Sequence, residues 1–318
     1  MKNALKVVIF TVLFFAVAVG GVFGFYKYNK TDFYFEEAEE KGSIVINSYI
    51  GKSVNIDIPE KIRGKKVVAV GQGAFEDKKI KSVIIPDTVK EIGMAAFKGC
   101  TELESVTIKG GVESIGENAF NNCDKLTEFT FPAELKTIGS LPFADCDGLK
   151  TINTEQNGNF VFEDGILYSA DKATAYFALN STDLSKVKLP AEVKNFAPFF
   201  FFKNDKITSF ELPDGIKVID TSLFALCSKL KEVKIPDSVE SIKSSAFVGC
   251  TSLDKLYIPA NVKNIDKFCF PVPLETGSGK DKEQSEDLFN PDFTLVVEKD
   301  SAAHTYAKEH SIKYELAK

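Results

Sequence analysis

Six cysteines are the residues with the widest chemistry in this 318-residue chain, and five of them recur at a fixed interval. The regular members, 23 residues apart within each of two groups, are Cys100, Cys123 and Cys146, then Cys227 and Cys250. Such cysteines could form disulfides, bind zinc or serve as small buried side chains. No C-x-x-C motif occurs, and both histidines, His304 and His310, lie near the C-terminus, which disfavours zinc. We therefore expect buried thiols, with no bound metal and no other cofactor.

Sequence signatures of catalysis and of nucleic-acid binding are missing. The chain contains no G-x-S-x-G, H-E-x-x-H or G-x-G-x-x-G motif and no P-loop. The C-terminal position of both histidines excludes a His-based triad in the rest of the chain. A net charge of -6 offers no basic excess to neutralise phosphates, so no nucleic-acid partner is expected. The sequence thus predicts a protein that is not an enzyme.

The cysteines belong to a longer repeat of 23 residues. We count each copy from position 0, which is occupied by Val83, Val106, Phe129, Val187, Phe210, Val233 and Leu256. Position 14 is always phenylalanine, namely Phe97, Phe120, Phe143, Phe201, Phe224, Phe247 and Phe270. Positions 2, 6, 9 and 20 are apolar as well, and position 17 holds the five regular cysteines. Apolar residues that recur in register over so many copies indicate a repeat protein.

The pattern within one copy predicts a coil of a solenoid. Apolar residues at positions 0 and 2 alternate as in a short strand, and a proline at position 3 in most copies ends it. The next segment, of which IGENAFNNC (Ile115–Cys123) is typical, predicts a turn or short helix whose Ala-Phe pair points inward. One coil cannot bury its apolar residues alone, so the coils stack around a shared core. The predicted fold class is an α/β leucine-rich-repeat solenoid, with a parallel β-sheet on one face and short helical turns on the other.

Three segments in order resemble one known family. They are Gly42–Phe75, repeats such as IPDSVESIKSSAFVGC (Ile235–Cys250) and the ending Thr294–Glu315, and they resemble the BspA-like leucine-rich repeat surface proteins of bacteria. The resemblance covers about residues 42–318. It implies a surface or secreted protein of the kind associated with adhesion and protein–protein contact, without known catalysis, and it implies no particular partner. Lys109–Gly111 departs from the usual proline turn.

An uncharged segment, Val7–Phe25, precedes the repeats. As a helix it would span ~28 Å, close to the hydrocarbon core of a bilayer. We expect residues 1–25 to form a signal anchor or transmembrane helix and residues 26–41 to form a linker. The alternative is a signal peptide cleaved after Ala16–Ala18. Both place the rest of the chain outside the cytoplasm, anchored to the cell membrane or, after cleavage, secreted.

The repeat array, expected over residues 42–272, is interrupted once. Two neighbouring copies are 35 instead of 23 residues apart, and the extra segment, about 153–186, predicts an inserted hairpin. In the next copy, Phe199 and Phe202 stand where asparagines stand in an earlier one. These side chains would normally face outward. Either the hairpin covers them with Tyr176 and Phe177, or they form an exposed apolar patch that binds a partner.

The C-terminal part predicts a loop and a cap. Residues 273–292 are rich in glycine, serine and charge, which is typical of a flexible loop. Residues 293–318 predict a β-α-β cap that closes the open end of the solenoid, with Asp300 or Ser301 as helix N-cap. We expect both histidines of this cap to be exposed.

The solvent-facing side of the predicted sheet is a second candidate surface. Its polar and charged residues include Glu211, Glu232, Lys234, Lys255 and Tyr257. Such a set suits a charged protein partner better than a sugar or a single-stranded nucleic acid, both of which favour stacking rings. The alternative is a solvated sheet face without a ligand.

These observations predict a surface protein that recognises other proteins or mediates adhesion through its repeat array, with a host or envelope protein as partner. One alternative is an envelope-associated structural or assembly protein that binds the cell's own surface components. A second is a carbohydrate-acting enzyme or accessory, which would need an aromatic-lined cleft that the repeats do not predict.

Overall fold

The structure is a computed structural model that describes residues 32–272 and 288–318. From Phe33 onward, the described residues build a solenoid in one compact unit. Each coil has three sides around the apolar core. We call them the first strand side (positions 0–2), the second strand side (positions 8–9) and the turn side (positions 11–17).

The first strand side carries the predicted parallel strands. They are β3 (Asn55–Asp57), β6 (Ser82–Ile85), β8 (Ser105–Ile108), β10 (Glu128–Thr130), β12 (Thr151–Asn153), β17 (Ser209–Glu211), β19 (Glu232–Lys234) and β21 (Lys255–Ile258). They pair in parallel as β3-β6-β8, β10-β12 and β17-β19. Position 0 of one coil lies opposite position 0 of the next, as Val83 does opposite Val106. The predicted register of one repeat per coil is therefore confirmed.

The second strand side was not predicted. Its strands are β5 (Lys65–Val70), β7 (Glu91–Ile92), β9 (Ser114–Ile115), β11 (Thr137–Ile138), β16 (Asn195–Phe196), β18 (Val218–Ile219), β20 (Ser241–Ile242) and β22 (Asn264–Ile265). Most consist of two residues, and neighbouring ones pair in parallel, with Ile92 opposite Ile115. Position 9 thus belongs to a strand, and the solenoid is mostly β-structure rather than α/β.

The predicted short helical turns are wrong, because the turn side is not helical. Positions 12 and 16 have positive φ in successive coils, for example 54° at Asn118 and 59° at Asn122. Two left-handed residues four positions apart interrupt a right-handed helix. In most coils, amides at positions 12, 14 and 16 donate instead to carbonyls at positions 11, 13 and 15 of the next coil. In one coil these pairs are Asn118 to Ser140 (3.0 Å), Phe120 to Pro142 (2.8 Å) and Asn122 to Ala144 (2.8 Å).

The inserted segment forms a three-stranded antiparallel meander. Its strands are β13 (Phe160–Glu163), β14 (Ile166–Ser169) and β15 (Thr174–Ala178). Where the sequence predicts one hairpin, the structure therefore has two. The additional turn is Asp164-Gly165, whose φ values of 50° and 80° suit a two-residue hairpin turn. Strand β15 then pairs in parallel with β16 and so joins the second strand side.

The N-terminal coil begins earlier than expected. Strand β1 (Phe33–Glu37) pairs antiparallel with β2 (Ser43–Tyr49), and β4 (Lys61–Ile62) pairs antiparallel with β5. Part of the segment expected as a linker, 26–41, is thus strand β1. The expected membrane segment, Val7–Phe25, lies outside the described residues. Among the helices of residues 32–272 and 288–318, none has the length and apolar character needed to cross a bilayer.

The cap follows the predicted β-α-β order with β23 (Thr294–Val297), α1 (Ala302–Glu309) and β24 (Tyr314–Leu316). Ser301 is the N-cap and its hydroxyl accepts a 3.1 Å hydrogen bond from the amide of His304. His304 is buried, contrary to expectation, and its Nδ1 accepts the amide hydrogen of Asp300 at 3.0 Å, which satisfies one of its ring nitrogens. His310 is exposed, as expected. Residues 273–287 of the expected loop lie outside the described residues.

The core repeats the same contacts from coil to coil. Position 14 rings stack nearly parallel, with centroids 5.2 Å apart for Phe97 and Phe120 and 4.8 Å apart for Phe201 and Phe224. All six cysteines are buried and none is in a disulfide. Cysteine is therefore a core residue of the repeat, as its spacing predicted.

Candidate functional site

The turn side is interrupted at the insert because one coil is too short. Ala175 lies opposite Phe196 in the pairing of β15 with β16, so it takes position 9 of its coil. Val187, the next position 0, lies twelve positions after Ala175, whereas Phe129 lies fourteen positions after Ile115. With two residues fewer, the inserted coil returns to the first strand side without adding a regular layer to the turn side.

Because the inserted coil is shorter, a cleft of about 520 Å³ remains on the turn side. One wall is formed by residues 141–145 of the coil before the insert, and the opposite wall by residues 199–206 of the coil after it. The end of β15, residues 177–180, and Leu184 line the cleft as well. An aromatic-lined cleft is the feature that the second alternative, a carbohydrate-acting enzyme or accessory, would need. The structure does contain such a cleft, which the sequence did not predict.

Phe199 and Phe202 line this cleft and are half-buried. Their rings meet edge to face at a centroid distance of 5.5 Å, and the ammonium group of Lys203 lies 5.4 Å from the centroid of Phe202. The hairpin rings pack against other rings: Tyr176 contacts Phe160 at 5.4 Å, and Phe177, which lines the cleft as well, contacts Phe143 at 5.8 Å. The insert therefore lies beside the phenylalanine pair but leaves it partly accessible.

Polar contacts join the two walls at one end of the cleft. The Asn180 side chain donates a 3.1 Å hydrogen bond to Asp147 of one wall, and its carbonyl oxygen accepts a 2.9 Å hydrogen bond from Lys206 of the other. Asp145 and Asp205 are exposed along the same rim. The rim thus carries both signs of charge around an apolar interior, as many ligand sites do.

The other candidate residues lie on the outer face of the first strand side. Glu211 of β17 and Lys234 of β19 are direct register partners, and their charged groups are 3.4 Å apart. Lys255 forms a 2.8 Å ion pair with Glu315 of the cap. These pairs are exposed, so each stabilises the fold by less than about 1 kcal/mol.

Tyr257 and Glu232 complete this strand face. The hydroxyl of Tyr257 donates a 3.1 Å hydrogen bond to Glu298, and burial together with this carboxylate raises the pKa of the tyrosine. Glu232 is exposed at the start of β19. The structure therefore brings the charged candidates together on one face and places Phe199 and Phe202 on the turn side, as two separate surfaces.

The thiols are unsuited to catalysis. Burial raises the pKa of Cys100, Cys227 and Cys269 to about 12, so these thiols stay protonated near neutral pH. Among the residues that the structure describes, no group of three or more His, Cys, Asp and Glu side chains is placed to hold a metal ion.

Comparison with known families identifies the repeat. The model of the BspA type leucine rich repeat region matches residues 68–174 and 172–272, with 6 copies. The chain belongs to this family. The BspA-type repeats cover more than half of the sequence and coincide with the stacked coils described above, so the resemblance to this family is confirmed.

Three solved structures are similar to this chain. The pneumococcal vaccine antigen PcpA is 19% identical and aligns over 92% of this chain and 98% of its own, with a TM-score of 0.63. A leucine-rich repeat protein of T. pallidum is 27% identical over 70% of this chain and 88% of its own (TM-score 0.41). A leucine-rich cell surface protein of Faecalibacterium prausnitzii is 20% identical over 92% and 94% (TM-score 0.43). The likeness to PcpA shows the shared fold. No curated protein matches the sequence.

Proposed function

We propose that this BspA-type protein is a non-enzymatic recognition protein that acts outside the cytoplasm and binds a protein partner through its repeat array. The observation that carries the proposal is the cleft at the shortened coil, where Phe199 and Phe202 remain half-exposed. Apolar side chains that stay accessible in a concave site are typical of binding surfaces. The two rings meet at an interplanar angle of 88° and offer no shared flat platform for a sugar, which favours a protein ligand.

The charged strand face supports the same function in a second way. Glu211, Lys234 and Lys255 are exposed, and exposed charges at the edge of an interface raise the rate of encounter with a partner of complementary charge. Their contribution to the rate of association should decrease as the ionic strength rises, because salt screens exposed charges over a Debye length of about 8 Å at physiological ionic strength. The contribution of Phe199 and Phe202 to the affinity for the partner should be largely independent of salt.

The proposal includes a membrane anchor formed by residues 7–25, with secretion of the cleaved chain as the alternative. Carbonate washing of membranes followed by detergent extraction distinguishes the two outcomes. An anchored protein resists carbonate and is released by detergent. A cleaved protein is recovered from the medium with an N-terminus that begins after Ala18.

A second candidate function, binding of the cell's own envelope components, is favoured by the position of β1. Strand β1 begins at Phe33, so only residues 26–32 would separate an anchor that ends at Phe25 from the folded unit. Seven extended residues span at most about 25 Å. An anchored array would thus remain near the membrane, where partners in the same envelope are within reach.

Affinity capture with the full-length protein tests these proposals. Host matrix proteins and detergent-solubilised envelope proteins are offered in parallel to the wild type and to the Phe199→Ser/Phe202→Ser variant. Phe268→Ser is the matched control, because Phe268 takes the same coil position as Phe199 and is 46% exposed. Capture of a host protein supports adhesion, and capture of envelope proteins alone supports the second function. Capture that is equal for all three baits would remove the cleft from the proposal.

A further inference from the structure

The cleft interrupts a hydrogen-bond ladder that joins neighbouring coils along the turn side. In five other coils, amides at positions 12, 14 and 16 all donate to carbonyls of the next coil, as Phe199, Phe201 and Lys203 donate to Thr221, Leu223 and Ala225. In the coil nearest the cap, Ser245 and Phe247 donate to Phe268 and Cys269 of the next coil. Before the insert, the amides at these positions belong to Leu141, Phe143 and Asp145. Within the described ranges, none of these three amides donates a hydrogen bond to another protein group.

The opposite wall has the complementary set of unpaired groups. In closed coils the carbonyls at positions 11, 13 and 15 accept from the preceding coil. In the coil after the insert, these carbonyls belong to Pro198, Phe200 and Phe202. As far as the structure describes the chain, they accept no hydrogen bond from another protein group. The cleft thus has three backbone donors along one wall and three backbone acceptors along the other.

We propose that the cleft binds a peptide segment of a partner protein, whose backbone adopts the turn conformation of the neighbouring coils and supplies the missing layer of the turn side. The carbonyls of the peptide would accept from Leu141, Phe143 and Asp145, and its alternate amides would donate to the opposite wall. This is the principle of strand addition at an open sheet edge, applied to a gap with two edges. Both walls are held by stacked coils, so little order has to be created on binding. The inference deepens the proposed function and rests on it.

The side chains that line the cleft predict which residues the peptide should contain. Its residue at position 12 would lie between Leu141 and Phe199, and its residue at position 15 between Ala144 and Phe202. Both should therefore be apolar and three residues apart. The two peptide residues between them should be small, because Phe177 and the neighbouring residues of β15 already fill the inner end of the cleft.

A displayed library of random heptapeptides, selected on the full-length protein, provides the probe. The selected peptides are synthesised with a terminal tryptophan. Since the chain itself contains no tryptophan, the fluorescence of the peptide reports binding directly. The expected result is enrichment of peptides with two apolar residues three apart. Failure to enrich any such peptide overturns the proposal.

Backbone methylation of the selected peptide tests the ladder without changing the protein. Three alternate amides of the peptide would face the carbonyls of Pro198, Phe200 and Phe202. Methylation of these amides should lower the affinity of the peptide about tenfold or more, because each methyl group removes one hydrogen bond. Methylation of the intervening amides should have little effect. Equal effects of the two methylation patterns would contradict backbone addition.

Ala144→Arg tests the place of binding, with Val248→Arg as the matched control at the same position of a coil whose turn side is paired with the next coil through Ser245 and Phe247. The first variant should abolish peptide binding and the second should preserve it, while thermal unfolding checks that both fold. Loss in both variants overturns the assignment to the cleft. If the protein self-associates and the peptide competes with this self-association, the cleft binds a second copy of this chain and the proposal of a peptide from a partner protein is wrong. If partner capture persists while no peptide binds, the inference fails and the proposed function stands.

Discussion

The thiol of Cys227 donates a 2.9 Å hydrogen bond to the carbonyl oxygen of Phe201, one coil earlier. The same relationship joins Cys100 to Phe75, Cys123 to Phe97, Cys146 to Phe120 and Cys250 to Phe224 at 3.0–3.3 Å. The carbonyl of Phe224 also accepts the amide hydrogen of Cys227 in its own coil at 3.1 Å. Position 17 therefore needs a side chain that is small, apolar and still able to donate one hydrogen bond between coils.

Replacement of Cys227 should separate its packing from its hydrogen bond. Cys227→Val fills the buried space with a slightly larger side chain and loses the donor, so we expect a cost of about 1–3 kcal/mol in the free energy of unfolding. Cys227→Ala loses both the buried volume and the donor and should cost about 1–3 kcal/mol. Urea unfolding followed by circular dichroism measures both values. Ser228→Ala, at the exposed neighbouring position, is the control, and a Val variant as stable as the wild type would contradict the role of the hydrogen bond.

The reactivity and the pH dependence of the thiols follow from their burial. Burial raises the pKa of Cys100, Cys227 and Cys269 in the folded state from 9.0 to about 12. The unfolded chain loses these protons near pH 9, so the stability that they contribute is complete below about pH 9 and decreases as the pH rises toward 12. We expect a disulfide reagent to leave the folded protein unmodified at pH 8 and to label all six thiols in denaturant. Rapid labelling of the native protein, or unfolding free energies that stay constant from pH 9 to pH 11, would contradict this account.

The sequence predicts the strand register and the core, because both depend on apolar side chains at fixed positions. It does not predict the second strand side, where two residues per coil are too few for an alternation to be visible. The turn side resembles a helix in sequence, and only backbone angles at residues such as Asn118 and Asn122 show otherwise. The cleft forms because Val187 follows Ala175 after only twelve positions. The sequence does not reveal this short spacing, since nothing in it marks an alanine as position 9. Phe199 and Phe202 were found from the sequence because they break a polar pattern.

Gly111 should be sensitive to a single methyl group. It replaces the usual proline turn with a φ of 78°, and a Cβ atom there would lie 1.9 Å from the carbonyl oxygen of Asp87. Gly111→Ala is therefore expected to destabilise the protein by about 2–4 kcal/mol, through backbone strain and the clash together. Gly158→Ala is the control, because a Cβ atom at Gly158 meets no other atom within 4 Å. Thermal and urea unfolding compare the two variants, and equal stabilities would refute the clash.

The stacked phenylalanines should dominate the stability of the array. Phe224 is fully buried, with its ring centroid 4.8 Å from that of Phe201 and 5.4 Å from that of Phe247. Phe224→Ala is expected to cost about 3–5 kcal/mol, because the cavity lies between two coils that cannot collapse onto it without breaking their strand pairing. Phe268→Ala, at a side chain that is 46% exposed, should change the free energy of unfolding by less than about 0.5 kcal/mol. If the two variants unfold at the same urea concentration, the stacked rings do not hold the coils together, and the inter-coil hydrogen bonds of the turn side must supply that stability instead.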